Sequence, residues 1–390
     1  MSSLPDRDAP AQKILIVTRN LPPLVGGMER LNWHMADELS EYADVHLIGP
    51  SEAEAPKPQR VKFYAAPLKP LWRFLLLAGW QAMRQARNWK PDIILAGSGL
   101  TAPIALIAAR LCGAQAAAYV HGLDIAVTHP IYRALWIPAI RRLDRVIANS
   151  TLTAELAKQA GVRADKIRIV HPGVTLPEHP QPQEDINLFL QTNKLTDNTI
   201  LLSVGRLTTR KGLREFVQHA LPAIVEARPD AMLVVIGDAP SDSLRAEVQT
   251  LQSIQAVADA AGVGQHIHFL GIITDAAKLA CAYECAALHV FPVRSLPGDP
   301  EGFGMVAIEA AAHGTPSVAF ATGGVIDAIS EGQSGRLVAS HDYHALAQAV
   351  LQVLNNAPAL WRANATTFAQ RFAWPVFGQK IRAAFKSDVI

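Results

Sequence analysis

The sequence predicts an α/β protein built from two doubly wound domains, and three observations carry that prediction. The chain has 390 residues, beyond the ~250–300 residues at which a single core stops growing. Short, continuously apolar segments alternate with helical ones, the pattern of parallel sheets covered on both faces. The alternation breaks off at a proline-rich, polar stretch, 177–198, and then restarts. That stretch reads as a linker.

In the first half, Lys13–Thr18 is the opening strand, followed by a Pro/Gly loop and a helix from Glu29 to Glu41. Asp44–Ile48, Pro91–Ala96, Gln115–Val120 and Arg145–Ala148 read as further strands. The uncharged run Ile93–Ala109 is interrupted by Gly97, Gly99 and Pro103 and falls short of the ~20 residues of a membrane span. It reads as a buried strand, a turn and a buried helix. After the linker come strand Thr199–Val204, helix Gly212–Ala227, strand Ala231–Ile236, helix Leu244–Ala261 and strand His266–Phe269. His289–Pro292 and Ser317–Phe320 continue the pattern. The tail, Ala365–Phe385, reads as helical with a kink at Pro375. The expected domains are 1–185 and 186–370, with a terminal helix over 371–390.

Composition removes several classes of function. Half of the residues are hydrophobic and 18% are charged, so the chain folds around large cores. The net charge of +2 gives no global case for nucleic acid. Three cysteines, Cys112, Cys281 and Cys285, are too few for a disulfide framework and fit a reducing compartment. Cys281 and Cys285 share a helix face without further ligands and read as core thiols rather than zinc ligands. The opening MSSLPDRDAPAQ has no apolar core of a signal peptide. A cytoplasmic protein is expected.

Open α/β sheets bind ligands beyond the carboxyl ends of their strands, and the unusual residues fall in those loops. Gly26 and Gly27 precede a helix, where close backbone approach and free N–H groups suit an anion. His121-Gly122-Leu123-Asp124 follows a strand; an isolated histidine there also fits an ordinary loop role. In Gly205-Arg206-Leu207-Thr208-Thr209-Arg210-Lys211-Gly212, Arg206 and Lys211 could hold a diphosphate, one as a fork and one as a point charge. Arg210 reads as a solvated or auxiliary charge. The strongest segment is Glu301-Gly302-Phe303-Gly304-Met305-Val306-Ala307-Ile308-Glu309. Glu301 lies in a Gly/Pro loop, and Glu309 lies inside an apolar helix where a carboxylate needs partners such as ribose hydroxyls. The helix start near Gly304 and Met305 offers N–H groups to phosphate. Gly314–Ala319 and Thr322-Gly323-Gly324 add a strand and a further glycine turn.

This set resembles the retaining GT-B glycosyltransferases of the large family 4, group 1 type, over essentially the whole chain. The opening VTRNLPPLVGGMERL is similar to the lipid-mannosyltransferase branch. The resemblance implies two Rossmann-like domains facing across a cleft, the first taking the acceptor and the second a nucleotide-diphosphate sugar. It implies donor binding by Gly26, Gly27, Gly205, Arg206, Lys211, Glu301, Gly302, Phe303, Gly304, Met305 and Glu309, with Arg206 and Lys211 on the diphosphate, Glu309 on the ribose and Glu301 on the sugar. Catalysis is implied for His121, Glu301, Arg206 and Lys211, with Asp124 a candidate to orient His121. It further implies retention by front-face attack, no metal, and hexose transfer to a lipid-linked or glycan acceptor in cell-envelope glycan synthesis, with GDP-mannose favoured over UDP-sugars. Preorganised cations and amide dipoles can stabilise a leaving diphosphate without metal, and Asp6-Arg7-Asp8 is read as a chance match to a metal motif.

Two readings stay open beside it. Gly97-Ser98-Gly99-Leu100-Thr101-Ala102 matches a dinucleotide pattern and supports an NAD(P)-dependent oxidoreductase, but the expected acidic residue downstream is missing. Residues 55–90 carry eight basic residues and no acid, interleaved with Trp72, Phe74, Leu75, Leu76, Leu77, Trp80 and Trp89. They fit an anionic membrane surface at the cytoplasmic leaflet and, equally, a core-facing helix with a solvated basic face.

Overall fold

The computed structural model describes residues 12–239 and 248–386. The chain divides into two compact units, one running to Gly173 and resuming at Trp374, the other Val174–Ala373. The first holds strands β1 (Gln12–Val17), β2 (Ala43–Pro50), β3 (Lys62–Ala66), β4 (Ile93–Ala96), β5 (Gln115–Val120), β6 (Arg145–Ala148) and β7 (Ile167–Ile169). They form one parallel sheet in the order β3-β2-β1-β4-β5-β6-β7. The second holds β8 (Thr199–Val204), β9 (Ala231–Ile236), β10 (Ile267–Gly271), β11 (Leu288–Phe291), β12 (Ser317–Phe320) and β13 (Gly335–Val338). Their parallel order is β10-β9-β8-β11-β12-β13. Both sheets are doubly wound.

The central strands are apolar on both faces because helices cover both. Ile14–Val17 are at most 1% exposed, and Val17 lies level with Ile48 and Ala96 on its neighbours. On one face of the first sheet the helices Leu71–Asn88, Ala102–Cys112 and Pro130–Arg142 form a layer whose inner side is largely alanine with Phe74, Ile137 and Ile140. Small residues let the helix axes approach the sheet and each other closely.

Strands β3, β7 and β13 were not expected from the sequence. All three are sheet edges, short and only partly buried, so they lack the apolar run that marks a central strand. The expected linker is not structureless: Gln183–Thr192 is a helix with Phe189 buried against the second unit's core. Unit membership changes at Gly173/Val174, earlier than the expected 185/186.

The expected helix Gly212–Ala227 is two helices, Leu213–His219 and Leu221–Ala227. Pro222 lacks the N–H that would continue the first and is tolerated only at the start of the second. The helix expected from Leu244 is described as Leu251–Ala260, capped by Thr250 accepting from the Ser253 N–H. Residues 240–247 lie outside the described residues, as do Asp6, Arg7 and Asp8. In the tail the helices Pro358–Ala369 and Trp374–Ala384 are separated at Ala373, where the backbone leaves the helical region (φ −53°, ψ 142°). Pro375 therefore starts a helix instead of kinking one. Trp374 stacks on His34 of the helix Gly27–Ser40 with ring centroids 3.9 Å apart, and Trp374–Ala384 packs on that helix within the first unit.

Candidate functional site

Each sheet order reverses beside its first strand, and there the loops at the carboxyl ends part to leave a crevice. In the second unit this point lies between β8 and β11, so the loops 205–212 and 292–304 flank it. Two glycines set how closely the loops approach. Gly212 has φ 69°, and a Cβ there would lie 2.2 Å from the Pro292 carbonyl oxygen. A Cβ on Gly324, in the turn after β12, would lie 2.0 Å from the Gly302 carbonyl oxygen, while the Gly324 N–H donates to the Glu301 carbonyl at 2.8 Å.

These approaches bring Glu301 onto Lys211. The Lys211 ammonium donates to Glu301 Oε2 at 2.9 Å, and the Arg210 guanidinium donates to the same oxygen at 2.6 Å. Arg210 Nε also lies 3.2 Å from Asp299 Oδ1, and its Nη1 is 3.4 Å from the Pro300 carbonyl. Arg210, Lys211 and Glu301 side chains are 8%, 16% and 11% exposed. The Arg210 carbonyl accepts the Arg294 N–H at 2.8 Å, so backbone and side chain both tie the two loops together. Lys211 further lies over the Phe291 ring, 4.7 Å from its centroid.

The electrostatics follow from this crowding. Burial alone would raise the Glu301 carboxyl, but the Arg210 and Lys211 charges and the Lys211 hydrogen bond outweigh it and hold it at about 2. The Lys211 ammonium lies below the ordinary lysine range, because burial and the Arg210 charge together outweigh the pull of Glu301. Both cations hold Oε2, which leaves Oε1 as the carboxylate's second acceptor.

Arg210, which the sequence presents as a solvated or auxiliary charge, is neither solvated nor peripheral. It is 7% exposed and is the carboxylate's closer partner. Arg206, expected on the diphosphate, is exposed on the same loop, and its charge acts on both Lys211 and Glu301. Gly205 lies beside Lys211, with a Cβ position 3.9 Å from Lys211 Cε. Gly304 (φ 96°) precedes the helix Met305–Ala312 and offers no side chain to cap its first N–H groups. Phe303 is buried and packs on Phe372 at 5.8 Å between centroids. Glu309 is half-buried in that helix, and the Tyr283 hydroxyl donates to its Oε2 at 3.2 Å.

The first unit holds a different constellation at its own switch point, between β1 and β4. His121, at the end of β5, is 8% exposed, and its Nε2 lies 3.0 Å from the Gly97 carbonyl oxygen. A carbonyl only accepts, so Nε2 is the donor of this contact, which leaves Nδ1 for a second partner. Asp124 does not orient the ring. Its Oδ1 accepts the His121 N–H at 2.9 Å and its Oδ2 the Gly99 N–H at 2.8 Å, so it clamps the loops after β4 and β5 through their backbones. Gly26 caps the helix Gly27–Ser40, and a Cβ there would meet Glu29 Oε2 at 2.3 Å.

Around this clamp several buried polar atoms lack a partner: Asn32 Oδ1, Ser98 Oγ, Tyr132 OH and Asn149 Oδ1. Burial pushes the Tyr132 hydroxyl upward, and the charge of Asp124 adds to it, so it stays a neutral donor. The space a side chain would need at Gly97 is filled by Asn32 and Thr18, and at Gly99 by Tyr132 and Asp124. These glycines serve side-chain packing, which leaves the dinucleotide pattern without the open loop it requires. Among the described residues no group of three or more metal-ligating side chains occurs. Cys281 is buried and Cys285 half-buried, both as free thiols.

Family models match both units: residues 198–356 fit glycosyl transferases group 1 and residues 25–177 fit glycosyltransferase family 4. The chain belongs to the group 1, family 4 glycosyltransferases. A D-inositol 3-phosphate glycosyltransferase of Catenulispora acidiphila is 34% identical over 59% of this chain and 53% of its own length. The chain thus spans about half the length of the inositol phosphate relatives it matches, which range from 50% to 59%. A GDP-mannose-dependent α-(1-6)-phosphatidylinositol monomannoside mannosyltransferase of Mycobacterium tuberculosis is 26% identical over 96% of this chain and 98% of its own. Among solved structures, Anabaena HepE with UDP and glucose superposes with a TM-score of 0.77 at 22% identity, covering 95% of this chain and 98% of its own. The sucrose-phosphate synthase of Thermosynechococcus elongatus gives 0.75 at 21% identity, covering 96% and 98%. These likenesses establish the GT-B fold.

Proposed function

We propose that this glycosyltransferase moves a hexose from a nucleotide-diphosphate sugar to a lipid-linked or glycan acceptor, with retention of configuration and without metal. The observation that carries the donor side is the sharing of one Glu301 oxygen by two nearly buried cations at the second unit's switch point. A site with Arg206, Arg210 and Lys211 against Asp299 and Glu301 retains positive charge, and the helix start at Met305 adds N–H dipoles. A diphosphate takes Lys211 and Arg206, Arg210 keeps Glu301 ionised, and Glu301 Oε1 accepts from a sugar hydroxyl. Glu309 takes the ribose. As the sugar–phosphate bond breaks, the charge on the leaving diphosphate meets cations already in place. His121 and the unpartnered polar atoms around it suit a hydroxylated acceptor in the first unit.

GDP-mannose is the favoured donor, on the name of the mycobacterial relative matched over nearly its whole length. That relative and the inositol phosphate glycosyltransferases both carry an inositol phosphate in the names of their acceptors, which supports an acceptor of that polyol class. A lipid-linked acceptor would bring the enzyme to an anionic membrane surface, with residues 55–90 as the contact. Thermal melting with GDP, UDP, ADP, NAD and NADP tests the donor reading. A ligand at ~100 times its Kd stabilises by about 2.7 kcal/mol. Stabilisation by GDP or UDP is expected; stabilisation by NAD or NADP alone would replace this reading with an oxidoreductase. Activity unchanged by EDTA is expected, and loss restored by Mg²⁺ would overturn the metal-free part.

A further inference from the structure

The exposed apolar surface of the first unit extends beyond the basic stretch 55–90. In the helix Leu71–Asn88, Phe74, Ala78, Ala82 and Ala86 face the core. Trp72, Leu76 and Trp80, spaced one turn apart on the outer side, are 63%, 66% and 54% exposed. The neighbouring helix Ala102–Cys112 packs directly against it, with Ile104 meeting the Cβ position of Gly79 at 3.9 Å. Its own outer side exposes Ile107 and Leu111, at 55% and 45%. The third helix of the same layer, Pro130–Arg142, exposes Ile131 and Leu135, each at 61%. All three helices bury their inner sides in one core against one sheet face, so these residues share the outer surface of one layer. Isolated exposed apolar residues need no explanation, but seven over three adjacent helices form a patch.

Charge tells what the patch meets. From Leu71 to Arg142 the chain has eight basic residues and two acids, Asp92 and Asp124. Both acids accept backbone N–H groups, Asp92 from Lys13 and Asp124 from Gly99 and His121. Arg73, Arg84, Arg87, Arg110 and Arg133 are exposed. The Arg84 guanidinium lies over the Trp80 ring, 5.5 Å from its centroid, so charge and aromatic surface are presented together. Among the described residues no helix is long and apolar enough to cross a membrane. Arginines interspersed with tryptophan and leucine on helices lying flat match a bilayer interface rich in anionic headgroups.

We infer that the outer side of the layer formed by the helices Leu71–Asn88, Ala102–Cys112 and Pro130–Arg142 is one docking platform for an anionic lipid surface. This deepens the membrane part of the proposed function and rests on the surface alone, independently of the donor site. Lys57, Arg60 and Lys62 lie outside the platform; Arg60 is paired with Glu41.

The test is co-sedimentation of the full chain with phosphatidylcholine vesicles and with vesicles of equal parts phosphatidylcholine and phosphatidylglycerol. Binding to the mixed vesicles alone, weakened by salt and accompanied by a blue shift of tryptophan emission, is expected. Arg73→Gln/Arg84→Gln/Arg87→Gln should weaken it by about a hundredfold, from roughly fivefold per surface arginine. Ile107→Ser/Leu111→Ser, on the second helix, should weaken it several-fold, whereas a contact through 55–90 alone would leave it unchanged. Equal binding of that variant, or no preference for the anionic vesicles, would overturn the platform. So would a concentration-dependent dimer abolished by the same substitutions, which would make a second copy the occupant. Melting of each variant with GDP and UDP reports the fold and the donor site separately, so failure of the donor reading shows there and not in the vesicle assay.

Discussion

The two sheets share one winding order, yet their switch points carry opposite chemistry. In the second unit the crevice between β8 and β11 holds a charged cluster in which Arg210 and Lys211 share the Glu301 carboxylate and Arg210 lies against Asp299. In the first, the Asp124 carboxylate at the crevice is taken up by two backbone N–H groups, and Asn32, Ser98 and Tyr132 each keep a buried polar atom without a partner. The same backbone path therefore prepares one place for an anion and another for hydroxyl groups. What a doubly wound sheet fixes is where ligands sit; the loops decide which charge is welcome there. The difference also separates stability from function. The charged cluster contributes to the fold even when empty, while the unpartnered atoms are a standing cost that a ligand would relieve.

Substitutions should divide along that line. The largest effect is expected for Lys211→Ala, which removes a charge needed as the diphosphate leaves. Initial transfer rates should fall about 10²–10³-fold, and near-normal turnover would erase the contrast in charge. Next is Arg210→Met, which leaves the Glu301 carboxylate with Lys211 alone. Breaking a buried pair costs about 3–5 kcal/mol; with one cation remaining we expect about 2–3 kcal/mol in thermal melting of the nucleotide-free protein. Retention of the full midpoint would return Arg210 to the status of a solvated charge.

The third prediction concerns acid. Glu301 titrates near 2 in the folded chain and near an ordinary ~4.3 when unfolded. Its contribution is complete above the unfolded value and is lost as pH falls through the folded one. Wild type should therefore lose on the order of 2–3 kcal/mol more than Glu301→Gln across that window. Parallel melting curves for the two proteins would contradict the assigned ion pair. Smallest in stability is Ser98→Ala. Its buried hydroxyl has no partner, so melting should hold or rise by up to about 1 kcal/mol while transfer to the acceptor weakens. A clear loss of stability instead would make Ser98 part of the fold.

Much of the second unit's site was legible because its residues sit in short glycine-flanked motifs. Lys211 before Gly212 and Glu301 before Gly302 mark themselves as loop charges at strand ends. Arg210 was not legible: an arginine in a polar run reads as solvated, and only the approach of 299–301, set by Gly212 and Gly324, reveals its partner. His121 could be placed at the end of β5, but its bond to the Gly97 carbonyl depends on the pairing of β4 with β5, which no local pattern encodes. Asp124, a candidate to orient His121, is a related case. The structure gives it backbone partners on two loops instead of the ring. The central strands were found by their apolar runs; β3, β7 and β13 were missed because their partly exposed positions leave no such run, whereas the edge β10 was found from its apolar residues Ile267 and Phe269.

The charged cluster of the second unit should bind the nucleoside diphosphate, and the first unit's switch point should not. Calorimetric titration of GDP and of UDP into wild type, Lys211→Ala and Ser98→Ala tests it most directly. Wild type and Ser98→Ala should bind one of the two nucleotides with equal affinity, and Lys211→Ala should bind it at least about tenfold more weakly, the loss of ~1.4 kcal/mol or more expected for a charge-assisted hydrogen bond to phosphate. Undiminished binding by Lys211→Ala, or loss of binding by Ser98→Ala, would contradict it.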